Sequence, residues 1–187
     1  MTEQKDLYTG ASMAAWGYFF LYIDINLGRL NILPAFVGIL LFMRAIALLK
    51  GERRDLELLR PLGVLLVAWH TAEWALQLVG VTLEGRLEIL SLIVVLVSLY
   101  FHFQLLTDLA ALAEKYQQPG EGLARWLLTW RSIQTIMLTA LALLRCMAGF
   151  LAPWWEYILI AVAIVQLIAG LCLMLALFSL RKIFLRP

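Results

Sequence analysis

Long hydrophobic runs, separated by short polar stretches, recur along the whole chain. Most of these runs approach or exceed the roughly 18 residues that an α-helix needs to cross the hydrocarbon core of a bilayer. Because lipid offers no partners for backbone amides, runs of this length are expected to form helices. The pattern predicts an all-α integral membrane protein, a bundle of six transmembrane helices near residues 8–25, 33–49, 61–81, 87–107, 131–151 and 156–179.

The composition agrees with this pattern. Of the 187 residues, 63% are hydrophobic and 15% are charged, and the mean hydropathy is +0.87. A soluble domain carries about a quarter charged residues, because its outside must be polar. No polar stretch is long enough for a separate soluble domain, so residues 1–187 are predicted to form a single transmembrane domain surrounded by the lipid bilayer. The amino terminus lacks the basic segment and cleavage site of a secretory signal, so the first helix is expected to be retained.

Lysine and arginine are distributed unevenly between the two sides of the predicted bundle. With the amino terminus inside, the segments on the cytoplasmic side hold eleven of these residues, and the external side holds Arg29, Arg86 and Arg145. The positive-inside rule then predicts a multi-pass protein of the plasma (inner) membrane with both termini in the cytoplasm. A net charge of only +2 does not point to a nucleic-acid partner.

Two connections have distinctive sequences. The turn IDINLGRLNILP, on the predicted external side, is rich in turn formers and is expected to be a capped hairpin; the alternative is a lid that presents Arg29 to an anion. The longest connection, residues 108–130, is predicted to be cytoplasmic. Its first part continues the fourth helix, QPGEG breaks that helix, and LARWLLTW is expected to form an interfacial segment.

The third predicted helix carries its polar and aromatic residues on one side, within an arc of about 140°. They are Trp69, His70, Glu73, Trp74 and Gln77. The opposite side is a row of small residues, Ala68, Ala72 and Ala75. Small residues let another helix approach closely, so this row is predicted to pack on a neighbouring helix while the polar side faces the interior.

Similar polar positions on other helices extend this interior surface. These positions are Ser91, Ser98 and His102 on the fourth helix, Arg131, Gln134, Thr135 and Arg145 on the fifth, Gln166 beside Gly170 on the sixth, and Arg44 on the second. Polar groups inside a membrane usually face the bundle interior and find partners there. The sequence therefore predicts a polar seam, defined here as polar side chains from several helices that meet inside the bundle.

Depth along the helices suggests one ion pair in this seam. Counting the helical rise, Glu73 lies about 18 Å and Arg145 about 21 Å above the inner boundary, so we expect them to form a salt bridge. The pair would bind a ligand or hold the helices in register. Trp16, on the first helix, is expected to join Trp69 and Trp74 as an apolar pocket wall, with core packing as the alternative. The predicted ligand-binding residues are therefore Trp16, Trp69, His70, Glu73, Trp74, Gln77 and Arg145.

Two more specific chemistries are considered and set aside. His70 and Glu73, with His102 from the next helix, could bind a metal. Carboxylate-bridged bundle sites, however, use about four carboxylates and two histidines, and this chain has far fewer carboxylates at that depth. Ser98 and His102 could pair as nucleophile and base, but no glycine-flanked serine accompanies them. We therefore expect no metal, no other cofactor and no catalytic residue.

Three classes of function fit these features. The predicted protein resembles the substrate-binding subunits of energy-coupling-factor vitamin transporters. The resemblance lies in its six short-looped helices, its cytoplasmic termini and its length. Ala11 and Ala15 match the small-residue pair that this family uses to dock on its partner. The resemblance implies a small-solute binding or transport module with a small-molecule ligand. The alternatives are a regulatory or assembly subunit that binds another membrane protein and, ranked last, an intramembrane enzyme.

Overall fold

A computed structural model describes residues 2–23, 26–27, 30–31, 34–80, 88–147 and 155–185. These residues form six α-helices: α1 (Thr2–Tyr22), α2 (Ala35–Leu49), α3 (Arg60–Leu78), α4 (Glu88–Tyr116), α5 (Leu123–Met147) and α6 (Trp155–Ile183). A 3₁₀ turn, Arg54–Leu59, leads into α3. Between α1 and α2, Asn26–Leu27 pairs antiparallel with Leu30–Asn31, which agrees with the predicted hairpin.

Three of these helices are long and apolar enough to cross a membrane: Ile89–Tyr116, Leu123–Leu144 and Tyr157–Ile183. The helix α2 is apolar but has only 15 residues. In α1 the first turns are polar, and α3 carries the polar side described above. The described residues therefore form a helical membrane bundle with three candidate spans, and the count of six spans stays a prediction.

The connection between α4 and α5 is shorter than the sequence predicted. The helix α4 continues to Tyr116, and QPGEG interrupts it as expected, with Gly120 at a φ of +94°. The segment LARWLLTW, however, forms the first two turns of α5 rather than a separate interfacial helix. No proline or glycine stands between residues 123 and 147, so nothing in the chain stops the helix there.

Each helix packs against the helices that precede and follow it in the chain, and α1 also packs against α6. The crossing of α1 and α2 is close, because a Cβ at Gly38 would lie 2.8 Å from the backbone oxygen of Gly17. Ala11 and Ala15 of α1 are fully buried in this packing. These two alanines were expected to dock on a partner protein, and this expectation is wrong because the bundle itself covers them.

One end of the bundle collects the termini of several helices. Arg53, from the α2–α3 connection, lies 3.2 Å from the fully buried Asp108 of α4, and Lys115 at the end of α4 donates to Glu52. The guanidinium of Arg181, near the end of α6, lies over the ring of Tyr8 of α1. We call this the basic end; it holds Lys5, Lys50, Arg53, Arg54, Arg60, Lys115, Arg125, Arg181 and Lys182.

Candidate functional site

The polar side of α3 faces the bundle, as its sidedness predicted. Trp69, His70, Glu73 and Trp74 are half-buried, whereas Gln77, the second-to-last residue of the helix, is exposed. The alanine row behaves differently from the prediction. Ala68, Ala72 and Ala75 are all exposed, so they pack on no neighbouring helix within the described part of the chain. A helix in lipid needs no polar outer face, and the small side can therefore point outward.

Within α3, His70 Nδ1 lies 3.0 Å from Glu73 Oε2, one turn along the helix. The ring of Trp74 meets that of Phe36 of α2 edge-on, at 5.7 Å between centroids. The side chain of Arg145 lies outside the described residues, so its salt bridge with Glu73 stays a prediction. The main neighbours of α3 are α2 and α4, and those of α5 are α4 and α6.

Trp16 lies on a different side of the bundle from Trp69 and Trp74. Its ring packs edge-on against Phe178 of α6 at 5.6 Å and against Phe19 at 5.2 Å, and 43% of the residue is exposed. The structure therefore brings together four of the predicted residues on α3 and places Trp16 at the junction of α1 and α6.

Three buried polar side chains, one each on α4, α5 and α6, contact two tyrosines of α1. His102, Gln134 and Gln166 are between 4% and 8% exposed, so these three predicted seam positions are buried. Arg44 of α2 was also expected to face the interior; this expectation is wrong, because the residue is exposed. The hydroxyl of Tyr18, which is fully buried, lies 3.3 Å from His102 Nδ1. The ring of Tyr22 stacks on that of Tyr18, with 6.0 Å between centroids and 12° between planes.

Tyr22, Gln134 and Gln166 form what we call the glutamine–tyrosine cluster. The Nε2 groups of Gln134 and Gln166 both donate to the hydroxyl oxygen of Tyr22, the latter at 3.3 Å. Gly170, one turn beyond Gln166, makes room for the tyrosine, since a Cβ there would lie 2.6 Å from its ring. Three helices thus bring one phenol and two amides together inside the bundle.

The hydrogen bonding of this cluster is incomplete. The carbonyl oxygens of Gln134 and Gln166 are buried and have no hydrogen-bond partner among the described residues. Tyr22 carries a single hydroxyl hydrogen, so it can donate to at most one of the two amides in any arrangement. At least one buried carbonyl therefore stays open, and an unmet buried acceptor costs about 1–3 kcal/mol. The cluster is poised to accept hydrogen bonds from an additional polar group.

The polar side of α3 lies on a helix that neighbours α4, which carries His102. On α3 His70 contacts Glu73, and on α4 His102 contacts Tyr18, whose ring stacks on that of Tyr22. The described residues contain no group of three or more potential ligands that could hold a metal ion.

A groove of about 480 Å³ lies at the basic end, apart from the cluster, between the start of α5 and the last turns of α6. Its lining is mostly apolar and includes Leu123, Trp126, Leu175 and Ala176. Trp126 is half exposed, as suits a tryptophan near a membrane interface. The groove carries no converging polar groups beyond Glu121 and Ser179 at its margin.

Sequence reasoning placed Gln134 and Gln166 in the seam but did not bring them to Tyr22. The signal that could have joined them is Gly170 beside Gln166, because a glycine inside a lipid-embedded helix often marks close packing of a large group. No protein family model, no curated protein and no solved structure matches this chain. Its function is therefore inferred from the arrangement of its own residues.

Proposed function

We propose that the protein is a six-span protein of the plasma membrane that binds a small solute inside its helical bundle, as a binding or transport module. The observation that carries this proposal is that the buried carbonyl oxygens of Gln134 and Gln166, beside Tyr22, have no hydrogen-bond partner in the described part of the chain. These glutamines lie within two candidate membrane spans. In lipid an unmet polar group costs several kcal/mol and finds no bulk water to replace its partner, so a polar occupant is favoured there.

In this proposal the predicted ligand-binding residues of α3 form one wall of the site. Trp69, His70, Glu73 and Trp74 are half-buried on α3, which packs beside α4, and His102 of α4 contacts Tyr18 next to the cluster. Ionisable residues inside membranes usually line substrate or proton pathways. We place the binding contacts at the glutamine–tyrosine cluster and treat the α3 residues as the lining that leads to it.

The orientation of the bundle follows from its basic end. Nine lysines and arginines gather there from the ends of all six helices and from the α2–α3 connection. Basic residues next to spans are retained in the cytoplasm. We therefore propose that the basic end is cytoplasmic, that both termini lie there, and that the Asn26–Asn31 hairpin is external.

A regulatory or assembly subunit is the second candidate, and one observation favours it. Ala68, Ala72 and Ala75 form an exposed row on α3, a helix whose opposite side packs in the bundle. A row of small residues on the outside of a membrane helix allows close contact with a helix of another protein. In this case the polar cluster would hold the helices of the bundle in register.

A thermal-shift screen of small solutes on the purified protein tests the proposal. A ligand at a hundred times its Kd stabilises the folded state by about 2.7 kcal/mol, which a melting curve detects. We expect at least one stabilising solute, and we expect Gln134→Leu and Gln166→Leu to abolish its effect. Thr139→Val, at an exposed position of α5, is the control and should leave the response intact.

The alternatives give different results. Loss of the response in Gln77→Leu but not in the two cluster variants would move the site to the exposed end of α3. A protein that co-purifies in mild detergent, and is lost on Ala72→Leu, would favour the regulatory subunit. A broad screen without any stabilising solute would refute solute binding.

A further inference from the structure

The unmet hydrogen-bonding groups of the cluster describe what a bound solute must offer. The two atoms of the cluster that have no partner among the described residues, Gln134 Oε1 and Gln166 Oε1, are acceptors. The Tyr22 oxygen accepts from both amides, which leaves its own hydrogen available to an acceptor. A matching solute therefore donates two hydrogen bonds and accepts at least one. A primary carboxamide edge, with two N–H groups beside one carbonyl, has this pattern.

The charges around the cluster select against an ionic solute. Its members are neutral, and the charged residue near it on α5 is Arg131, one turn before Gln134. That guanidinium is held by Thr107 Oγ1 at 2.8 Å and lies 4.1 Å from the ring centroid of Phe103. A cation would sit near this positive charge and an anion would face two carbonyl oxygens. A buried ion needs a compensating partner. The cluster itself offers an anion only acceptors at its two open carbonyl oxygens, and Arg131, whose Nε is buried without a partner among the described residues, opposes a cation.

The surroundings of Tyr22 favour an apolar or aromatic body attached to that polar edge. The phenol stacks on Tyr18, and Tyr18 in turn packs against Phe42 with 4.9 Å between centroids. Ring-lined sites with a few converging polar groups are typical of pockets for small molecules. On the basis of the proposed function, we propose that the cluster binds an uncharged solute that joins a carboxamide-like edge to an apolar or aromatic body.

A matched set of compounds tests this chemical class. Benzamide carries the full edge, N,N-dimethylbenzamide lacks the donors, benzoate is anionic and benzamidinium is cationic; the same four groups on alkyl bodies extend the set. We expect the primary amides to raise the melting temperature and the dimethyl amides to bind on the order of 10- to 100-fold more weakly, since two hydrogen bonds are lost. Gln134→Leu and Gln166→Leu should reduce the primary amides to the level of the dimethyl amides, and Thr139→Val should not.

The outcomes separate this inference from the proposed function. If the solutes whose effect depends on Gln134 and Gln166 are carboxylates or amidinium ions, the uncharged class is wrong while solute binding stands. The class is also wrong if dimethyl amides stabilise as well as primary amides do. If no compound in the set or in the broad screen stabilises the protein, both the solute-binding proposal and the class are refuted, and ordered water is the remaining partner for the carbonyls.

Discussion

The ion pair between Arg53 and Asp108 gives the sharpest test of how the basic end is held together. Asp108 has no exposed side-chain surface, and its two carboxylate oxygens accept from Arg53 Nη2 and from Gln104 Nε2, each at 3.2 Å. Arg53 is 38% exposed on its side chain and also lies 3.7 Å from Asp55. The two partners therefore depend on each other unequally, because only the aspartate has no access to water.

This asymmetry predicts unequal costs of substitution. Removing one partner of a buried pair costs about 3–5 kcal/mol, and the exposure of Arg53 lowers the expected cost of Arg53→Gln to about 2–3 kcal/mol. Asp108→Asn keeps the shape of the side chain and its contact with Gln104. It leaves Arg53 with Asp55 and water, so we expect a loss of about 1 kcal/mol or less. The double variant should lie close to Asp108→Asn, since no buried carboxylate is left unpaired.

The assay is reversible unfolding of the purified protein in mixed micelles, followed by circular dichroism as the denaturing detergent increases. Arg54→Gln is the matched control, because this neighbouring arginine is exposed and should contribute within about 0.5 kcal/mol. Two results would refute the reasoning. One is a greater loss for Asp108→Asn than for Arg53→Gln, and the other is a double variant whose loss equals the sum of the single losses.

Two further predictions use the same unfolding assay. Gly38→Ala should lower the free energy of unfolding by about 1–3 kcal/mol, because its Cβ would lie 2.8 Å from the backbone oxygen of Gly17 and push α1 and α2 apart. Gly51→Ala is the control, since a Cβ there has nothing within 4 Å and should leave stability unchanged. Equal effects of the two substitutions would contradict the close crossing. The hydrogen bond from Lys115 lowers the pKa of Glu52, so the stability that it adds is present at neutral pH and is lost as the pH falls below about 4. The difference in stability between the native protein and Lys115→Gln should therefore shrink on acidification, and a difference that stays constant from about pH 7 to pH 3 would argue against this pair.

Much of the helical framework could be predicted because it depends on properties local to the chain. The six predicted segments coincide in order with α1 to α6, and the QPGEG break falls where proline and glycine stop a helix. The inward direction of His70 and Glu73 followed from the helical period. The fifth span was predicted to begin at Arg131, whereas α5 begins at Leu123. This difference also has a local cause. The hydrophobic pattern marks where the lipid begins, and a helix continues beyond that point until a proline or glycine ends it.

The candidate site could be predicted only in part, because it depends on how helices are rotated and set in depth against each other. A helical wheel shows that Ala72 and Glu73 lie on different sides, but not which side a neighbour covers, and the alanine side proved to be the exposed one. The convergence of Gln134 and Gln166 on Tyr22 requires three helices at matched depths, with Gly170 admitting the phenol ring.

The sequence by itself determined a helical membrane protein, the order of its helices and the burial of His102, Gln134 and Gln166. These properties follow from the solvent in which each segment is stable and from the 3.6-residue period of the helix. Only the tertiary structure decided that the amides of two helices meet one tyrosine of a third, and that Asp108 depends on Arg53. Such contacts join residues far apart in the chain, and they are set by the crossings that small residues such as Gly17 and Gly38 permit.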